Sequence, residues 1–154
     1  MSLDIFFKVA VLENAALLHD LHVKSFPEDE RSGWSEENFA STISSDVSNI
    51  IVAYLGEVPT GFIAYSNIES EAEILSIGVL PTYRGQKVAQ SLLEEFLRIA
   101  TPKQIFLEVA ENNKPAIEFY LKNGFSLVTT RKNYYRNGVD AIVIRLVIPE
   151  VRES

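Results

Sequence analysis

A strand, a basic turn, an amphipathic helix and a second strand follow one another between residues 73 and 109, and this succession constrains the fold more than any other feature. Apolar residues recur at helical spacing from Val88 to Ala100, until Thr101-Pro102 stops the pattern. Glu73 to Leu80 is predicted as the strand before the helix, and Ile105 to Val109 as a buried strand after it. The central unit of the chain is therefore strand, turn, helix, strand.

The segment before this unit predicts one strand and two helices. We expect an edge strand at Ile5 to Val9, followed by a helix over Leu12 to Phe26 that Pro27 ends. Ser35 can cap a second, short helix, although Asn38 is not the Glu or Gln of a full capping box.

Two hairpins and one more short helix complete the pattern. Both hairpins join β-branched or apolar strands through a turn that contains glycine, and Asn-Gly favours the positive φ angles of a tight hairpin. The helix begins after Asn113 and stops at Gly124. The paired strands are Asn49 to Leu55 with Gly61 to Ser66 across Gly56-Glu57, and Phe125 to Tyr134 with Val139 to Ile148 across Asn137-Gly138.

Length and composition favour one small enzyme-sized domain. The 154 residues are 47% hydrophobic and 23% charged, which predicts a single domain over residues 1–154 with a loose tail at 149–154. The absence of cysteine excludes a disulfide, a thiolate metal site and an acyl-cysteine intermediate. Group transfer must therefore be direct or use another nucleophile.

Charge and hydropathy bear on location and partners. No apolar run approaches the roughly 18 to 20 residues that span a bilayer, and Asp4 is unlike the basic head of a secretory signal. We therefore expect a cytoplasmic protein without a membrane partner. A formal net charge of -7 argues against a nucleic-acid surface and favours cationic partners, although ordinary solubility explains it equally well.

Several short motifs fall in the order typical of one family. On these motifs and on the order of its elements, the chain resembles the GNAT superfamily of acyl-CoA-dependent N-acyltransferases over nearly its whole length. The resemblance is closest to the bacterial ribosomal-protein-alanine N-acetyltransferases and their peptide N-terminal relatives. It implies an α/β (α+β) fold with a mixed, mainly antiparallel sheet of about six to seven strands and about four helices. The motifs are Phe26-Pro27 with Trp34-Ser35-Glu36, Leu107-Glu108-Val109, Asn113-Lys114-Pro115-Ala116-Ile117, Phe119-Tyr120, Gly124-Phe125 and Arg131-Lys132-Asn133-Tyr134-Tyr135.

The resemblance assigns acetyl-CoA, as co-substrate, to two segments. The turn and helix start would hold the CoA diphosphate, because backbone N–H groups at a helix start favour anions. A bulged strand would offer N–H groups to the pantetheine arm and the thioester carbonyl. By themselves, the two segments are equally an ordinary solvated turn and a buried strand. The cofactor-binding residues so implied are Ile77, Gly78, Val79, Arg84, Gly85, Gln86, Lys87, Val88, Ala89, Gln90, Asn113 and Tyr120.

One residue departs from the family's phosphate turn. The pattern is Arg or Gln, two residues, Gly, one residue, then Gly or Ala; Arg84 and Ala89 fit it, but Lys87 stands where the first of those glycines belongs. Replacing a glycine costs about 1 kcal/mol or less where the backbone tolerates a side chain, and more where φ is positive. The Lys87 ammonium could contact phosphate, or its side chain could swing to solvent. We expect retained cofactor binding.

Glu108 and Tyr120 are the catalytic candidates. Strand alternation places Glu108 beside Phe106 in an otherwise apolar segment, where partial burial of a carboxyl raises its basicity. By resemblance, Glu108 takes the proton of the attacking amine through water, and Tyr120 protonates the departing thiolate. Asn113 is expected to cap the helix of Tyr120 and to meet the pantetheine. The structural alternatives are a surface glutamate, a packing tyrosine and a plain helix cap.

Four aromatic residues are predicted to bind the acceptor by the same resemblance: Phe26, Trp34, Tyr134 and Tyr135. Paired tyrosines in a strand are equally explained by cross-strand packing. Glu28 to Glu30 interrupt the usual join between Phe-Pro and Trp-Ser-Glu, which puts the substrate in doubt. His19 and His22 have helical spacing but no third ligand nearby, and we predict no metal site.

Together the patterns predict an N-acetyltransferase that moves an acetyl group directly from acetyl-CoA to an amine. The preferred acceptor is a protein N-terminal amine, such as that of a ribosomal protein. A small-molecule amine is one alternative. A CoA-binding module with little catalysis, caused by Lys87, is another. Monomer and homodimer both stay open.

Overall fold

The structure is a computed structural model that describes residues 4–26, 34–135 and 138–150. The described elements alternate helices and strands much as the sequence predicts. The strands are β1 (Ile5–Val9), β2 (Ser48–Leu55), β3 (Val58–Ile68), β4 (Glu71–Val79), β5 (Gln104–Ala110), β6 (Ser126–Arg131) and β7 (Ala141–Val147). The helices are α1 (Ala15–Ser25), α2 (Glu36–Ser44), α3 (Val88–Ala100) and α4 (Lys114–Lys122), with short 3₁₀ helices at Leu12–Asn14 and Pro81–Tyr83.

The strands form a sheet of seven in the order β1-β2-β3-β4-β5-β7-β6. Its β1/β2, β2/β3, β5/β7 and β6/β7 pairs are antiparallel, whereas β4 and β5 run parallel over Glu71–Glu73 and Gln104–Phe106. The parallel pair follows from the central unit, because a helix between two strands returns the chain to the same end of the sheet. The mixed, mainly antiparallel fold is confirmed.

Several predicted boundaries need correction. Residues Leu12–Asn14 form a 3₁₀ helix rather than the first turn of α1, and β6 ends at Arg131 rather than Tyr134. Asn38 does complete a capping box: the Ser35 N–H donates to its side-chain oxygen at 3.1 Å, and the Asn38 N–H donates to Ser35 Oγ at 3.1 Å. The shorter Asn side chain reaches back as a Gln would. Pro27, the insertion Glu28 to Glu30 and Asn137 lie outside the described residues.

The chain forms two compact units. The first comprises Met1–Ser66 and Leu75–Thr101, and the second comprises Asn67–Ile74 and Pro102–Ser154. The single domain predicted over the whole sequence stays a prediction.

The core of the first unit lies where α1 and α2 cover the strands β2 and β3. Leu18, Phe39 and Phe62 are fully buried there, and each such side chain stabilises the fold by about 1.5–3 kcal/mol through removal of apolar surface from water. The longest of the described helices, α3, has 13 residues, and Leu92 and Phe96 on its inner face are buried. In the described part of the chain, no helix is both long and apolar enough to cross a membrane.

The second unit buries one face of its strands and leaves the other partly open. Along β5, Ile105, Leu107 and Val109 are buried, whereas Phe106 and Glu108 are only half-buried. This is the alternation expected of a strand with one covered face. Tyr120 of α4 and Phe125, the residue before β6, are also buried.

A one-residue bulge in β6 decides which of its side chains share a face with Glu108. Leu127 pairs with Ile144 and Thr129 pairs with Val143, so Val128 is an extra residue without a partner in the ladder. Glu108 also pairs with Val143. Directly paired residues share a face and alternate residues repeat it, which puts Thr129 and then Arg131 on the face of Glu108. A ladder without the bulge would turn Arg131 to the opposite face.

Candidate active site

The turn before α3 presents backbone N–H groups of a helix start. The hydrogen-bonded ladder of α3 begins where the Ser91 N–H donates to the Lys87 carbonyl at 2.9 Å, so the amides of Val88 and Ala89 precede the ladder. A Cβ added to Gly85 would meet nothing within 4 Å, so the turn is open at that point. An anionic group fits this donor set because the amides and the helix dipole both favour negative charge.

Lys87 adopts the left-handed conformation, with φ 64° and ψ 20°. That conformation costs an L-residue about 1–2 kcal/mol relative to the right-handed one, and glycine avoids the cost. The departure from the family pattern therefore falls at a position whose backbone favours glycine. The Lys87 side chain is exposed, which leaves its ammonium accessible to an anion at the turn.

Other side chains of the turn are engaged within the first unit. The Arg84 guanidinium donates to the backbone carbonyl of Ser25, the last residue of α1. The Gln86 side chain donates to the Thr82 carbonyl at 3.4 Å, and the Gln90 side chain donates to Glu94 at 3.3 Å. In this structure Arg84 thus ties the turn to α1.

Gly78 sits where any side chain would collide with the end of α1. A Cβ there would lie 2.9 Å from the Phe62 ring, 3.0 Å from the Phe26 ring and 3.2 Å from Ser25 Cβ. Its neighbours Ile77 and Val79 are half-buried. The glycine is therefore required by packing, and the bulge and exposed N–H groups expected in this strand stay a prediction.

Phe26 and Trp34, both predicted to bind substrate, belong to an aromatic cluster over the first unit's core. The Trp34 ring lies 4.7 Å from the Phe39 ring, and the Phe26 ring lies 4.9 Å from the His22 imidazole. Both are half-buried, whereas His22 is 2% exposed. Phe26 is extended at φ -122° and ψ 140°, as expected of a residue before proline. His22 is thus a core residue of this cluster.

Glu108 makes an ion pair that the sequence did not predict. Its carboxylate lies 3.0 Å from the Arg131 guanidinium, and the two side chains are 23% and 56% exposed. Arg131 reaches Glu108 diagonally across β7, passing the small Ala141 with which it pairs. Glu108 is half-buried beside Phe106, as predicted.

Tyr134, Tyr135 and Glu73 complete a polar group around this ion pair. A hydrogen bond to the Glu108 carboxylate, followed by its negative charge, raises the pKa of the exposed Tyr134. Burial, then the charge of Glu108, raises the pKa of Tyr135. Burial, then Glu108, raises the pKa of the Glu73 carboxyl, while Arg131 opposes the rise. The Arg131 charge therefore acts on two carboxylates and on the Tyr134 phenol.

No local residue pattern indicates that Arg131 or Glu73 belongs to the site. Glu73 pairs with Phe106 across the parallel ladder, so it shares the face of Glu108; strand alternation finds this once the pairing is known. Arg131 is part of a family motif. The face of the sheet on which its side chain lies depends on the bulge at Val128, and no residue pattern predicts that bulge.

Tyr120 and Asn113 lie on α4, in the second unit. The Asn113 side chain accepts the Ala116 N–H at 3.3 Å, which confirms the predicted cap. Tyr120 is 3% exposed, and its ring lies 5.2 Å and 5.3 Å from the rings of Phe119 and Phe125. Burial raises the pKa of Tyr120 well above its ordinary value. Its hydroxyl is accordingly a proton or hydrogen-bond donor at neutral pH.

A comparison with protein families decides the affiliation. The family model described as "Acetyltransferase (GNAT) family" matches residues 15–125. The chain belongs to the GNAT acetyltransferase family. As a GNAT protein it is an N-acetyltransferase that uses acetyl-CoA, which confirms the predicted class of enzyme.

Individual GNAT relatives support the narrower resemblance. N-alpha-acetyltransferase RimI of Mycobacterium tuberculosis is 32% identical over 117 residues, which are 73% of this chain and 74% of that protein. An N-alpha-acetyltransferase of Saccharolobus solfataricus is 33% identical over 108 residues, covering 64% of each chain. The crystal structure of the ribosomal-protein-S18-alanine N-acetyltransferase from Escherichia coli superposes with a TM-score of 0.84 at 25% identity, covering 97% of both chains. The predicted resemblance to the bacterial alanine N-acetyltransferases is confirmed.

Proposed function

We propose that this GNAT enzyme acetylates the N-terminal amine of a protein, such as a ribosomal protein, by direct attack of the amine on acetyl-CoA. The names of the relatives support this acceptor, since all three act on N-termini or on a ribosomal-protein alanine. The structural observation that carries the proposal is the half-buried Glu108 carboxylate, ion-paired to Arg131 and hydrogen-bonded to Tyr134. The carboxylate is still 23% exposed, so water can reach it and relay the amine proton to it.

The first unit supplies the binding groups for the co-substrate in this proposal. Its diphosphate would meet the N–H groups of Val88 and Ala89 and the Lys87 ammonium. The donors fit, because amides and an exposed ammonium both favour an anion. Acetyl-CoA supplies the activated thioester. The N–H groups of Ile77 to Val79 would stabilise the negative charge that develops on the thioester oxygen, a contribution that typically reaches 10²–10³ in rate.

In this proposal, residues of the second unit accept and donate the protons of the reaction. The amine nitrogen forms a bond to the acetyl carbon as the carbon–sulfur bond breaks, and the amine proton passes through water to Glu108. A neutral amine is needed for attack; the pKa of an N-terminal amine is about 8, so the neutral fraction at pH 7 is larger than for a lysine at about 10.4. An N-terminal acceptor therefore depends less on Glu108 for removal of the amine proton before attack.

Tyr120 would donate a proton to the departing CoA thiolate, since the pKa of that thiol is about 8.5, as for a free thiol. Because burial raises the pKa of Tyr120, its hydroxyl is protonated at pH 7. The same burial makes complete proton transfer to sulfur less favourable. We therefore assign Tyr120 first a hydrogen bond to the developing thiolate. The proton then passes to sulfur, and the phenolate regains a proton from water, which balances the proton that Glu108 took from the amine.

Tyr134 and Tyr135 are proposed to hold the acceptor's backbone, together with Phe26 and Trp34. Tyr134 is 50% exposed, so its ring has free surface for a peptide. The two tyrosine rings lie 5.2 Å apart in an edge-on arrangement, which fixes their orientation. A cytoplasmic location, and the choice between monomer and homodimer, stay predictions.

Thiol release from acetyl-CoA with three acceptors tests the proposal. The acceptors are a basic peptide with a free N-terminal alanine, the same peptide N-blocked with free lysines, and a polyamine mixture. We expect release with the first alone, and a loss of about 10²–10³ in kcat for Glu108→Gln. Release with the polyamines alone would instead establish a small-molecule enzyme. Acetyl-CoA binding without any turnover would indicate an idle binding module.

A further inference from the structure

The Glu108–Arg131 ion pair joins two strands that are not neighbours. β7 lies between β5 and β6, and the Arg131 side chain crosses it to bring its Nη1 within 3.0 Å of Glu108 Oε1. Two local features allow the crossing: Val128 bulges out of the ladder, and Arg131 stands opposite the small Ala141. The contact is therefore built by the fold of the second unit and is no accident of neighbouring side chains.

The stability of the fold gives little reason for this pair. Arg131 is more than half exposed and lies on an edge strand. Exposed ion pairs contribute about 0–1 kcal/mol to stability, because water and salt screen them. Arg98 and Glu95 on α3 form such a pair at 2.7 Å, with no other described charge linked to it by an ion pair. Arg131 differs because its partner has other anionic and phenolic neighbours.

The groups around the Glu108–Arg131 ion pair indicate the role of Arg131. Its guanidinium lies 5.6 Å from the centre of the Tyr134 ring, in a cation–π contact. Tyr134 is in turn hydrogen-bonded to Glu108. Glu73 shares the face of Glu108. Burial, then the charge of Glu108, raises the pKa of the Glu73 carboxyl, and the positive charge of Arg131 opposes that rise.

We propose that Arg131 is a positioning residue for the acetyl transfer: it holds the Glu108 carboxylate against Tyr134 and places a positive charge beside the carboxylates of Glu108 and Glu73. This inference rests on the proposed role of Glu108 as the base. A base that carries a proton cannot accept one, so Arg131 extends activity towards lower pH. Arg131 itself touches neither the acceptor nor acetyl-CoA in this proposal.

The test compares Arg131→Met and Arg131→Lys with the wild type. The charged and titratable groups on the face of Glu73 and Glu108 are Arg131, Tyr134 and Tyr135, together with Arg145, which pairs with Phe106, and Glu71, two residues before Glu73. For Arg131→Met we expect the acid limb of the kcat/KM profile to move upward by about half a pH unit to one unit, with a three- to tenfold lower kcat at pH 7. The KM for acetyl-CoA should not change. Arg131→Lys should restore the position of the limb but not all of kcat, because it keeps the charge and loses the planar fork.

Two further variants make the test specific. Arg98→Met removes an exposed guanidinium, 70% exposed against 56% for Arg131, from an ion pair on α3, and it should leave the profile unchanged. Glu73→Gln in the Arg131→Met background should move the acid limb back, because it removes the second carboxylate. Carboxyl titration by NMR gives a readout without turnover: the Glu73 pKa should be higher in Arg131→Met than in the wild type.

The outcomes separate the two proposals. An active wild type whose profile and Glu73 titration are unchanged by Arg131→Met would overturn the inference alone. The same shift in Arg98→Met would also overturn it, since a general charge effect would then explain the change. A wild type inactive with every acceptor, or a fully active Glu108→Gln, would remove the proposed base and both proposals with it.

Discussion

A Cβ on Gly61 would lie 2.7 Å from the carbonyl oxygen of Gly78. Two strands of the first unit thus approach each other at a point where neither residue carries a side chain. The contact atom is backbone oxygen, so it cannot yield as the tip of a flexible side chain would. The position of Gly78, a predicted cofactor residue, depends on this approach.

Gly61→Ala should therefore destabilise the protein by about 2–3 kcal/mol, the cost of an overpacked contact that the backbone must relieve. Urea unfolding monitored by circular dichroism measures the change. Gly56→Ala is the matched control: its φ is +61°, but a Cβ there meets nothing within 4 Å, so only the left-handed strain of about 1 kcal/mol applies. Equal losses in the two variants would contradict the steric explanation.

Lys87→Gly should raise the free energy of unfolding by about 0.5–1 kcal/mol. Relief of left-handed strain stabilises the folded state, and the greater freedom of glycine in the unfolded chain offsets part of that gain. Lys87→Ala keeps the strain and removes the ammonium, so it should leave stability unchanged and weaken acetyl-CoA binding several-fold in calorimetric titration. Unchanged affinity in Lys87→Ala would show that the ammonium does not contact phosphate.

Tyr120→Phe should lower kcat by about tenfold to a hundredfold with little change in acetyl-CoA affinity, because a donor to the leaving sulfur is lost while the ring is kept. The hydroxyl should also ionise only well above the ordinary range, since burial raises its pKa. Ultraviolet difference titration of wild type against Tyr120→Phe measures this ionisation. An ordinary phenol titration at Tyr120 would argue against its burial.

Glu73→Gln should stabilise the protein slightly at neutral pH. The folded pKa of Glu73 is raised above its ordinary value of 4.5, so its contribution favours folding below that value and is lost as pH rises through the folded pKa. Because Glu73 is largely exposed, the gain above this window should stay below about 1 kcal/mol. Thermal melting at pH 4 and pH 7 checks the sign: the variant should gain at pH 7 and not at pH 4.

Local patterns predicted most of the fold because the signals were local. The run from Val88 to Ala100, the Gly56-Glu57 turn and the Asn113 cap each depend on residues close in sequence. The alternation that placed Glu108 on the open face of β5 also held. The family resemblance added the mixed, mainly antiparallel sheet of about six to seven strands, which no single segment encodes.

The unpredicted parts depend on pairing between distant strands. Glu73 and Arg131 approach Glu108 through register, and one unpaired residue changes register without any compositional sign. The backbone at Lys87 shows a second limit of sequence-based prediction. A lysine residue type does not indicate a positive φ, although the glycine that the family has at this position is compatible with one. Asn38 is not the Glu or Gln of a full capping box, yet its side chain and N–H complete one with Ser35.

The bulge at Val128 also affects how the protein meets other copies of itself. β6 is the last strand of the sheet, its residues are exposed, and Leu127 is 60% exposed beside the bulge. A regular apolar edge would offer a ladder on which another chain could pair, and a bulge interrupts that ladder. Deleting Val128 would therefore turn Arg131 away from Glu108 and create a smoother edge in the same step. The same extra residue therefore affects both the regularity of this sheet edge and the proposed proton transfer at Glu108.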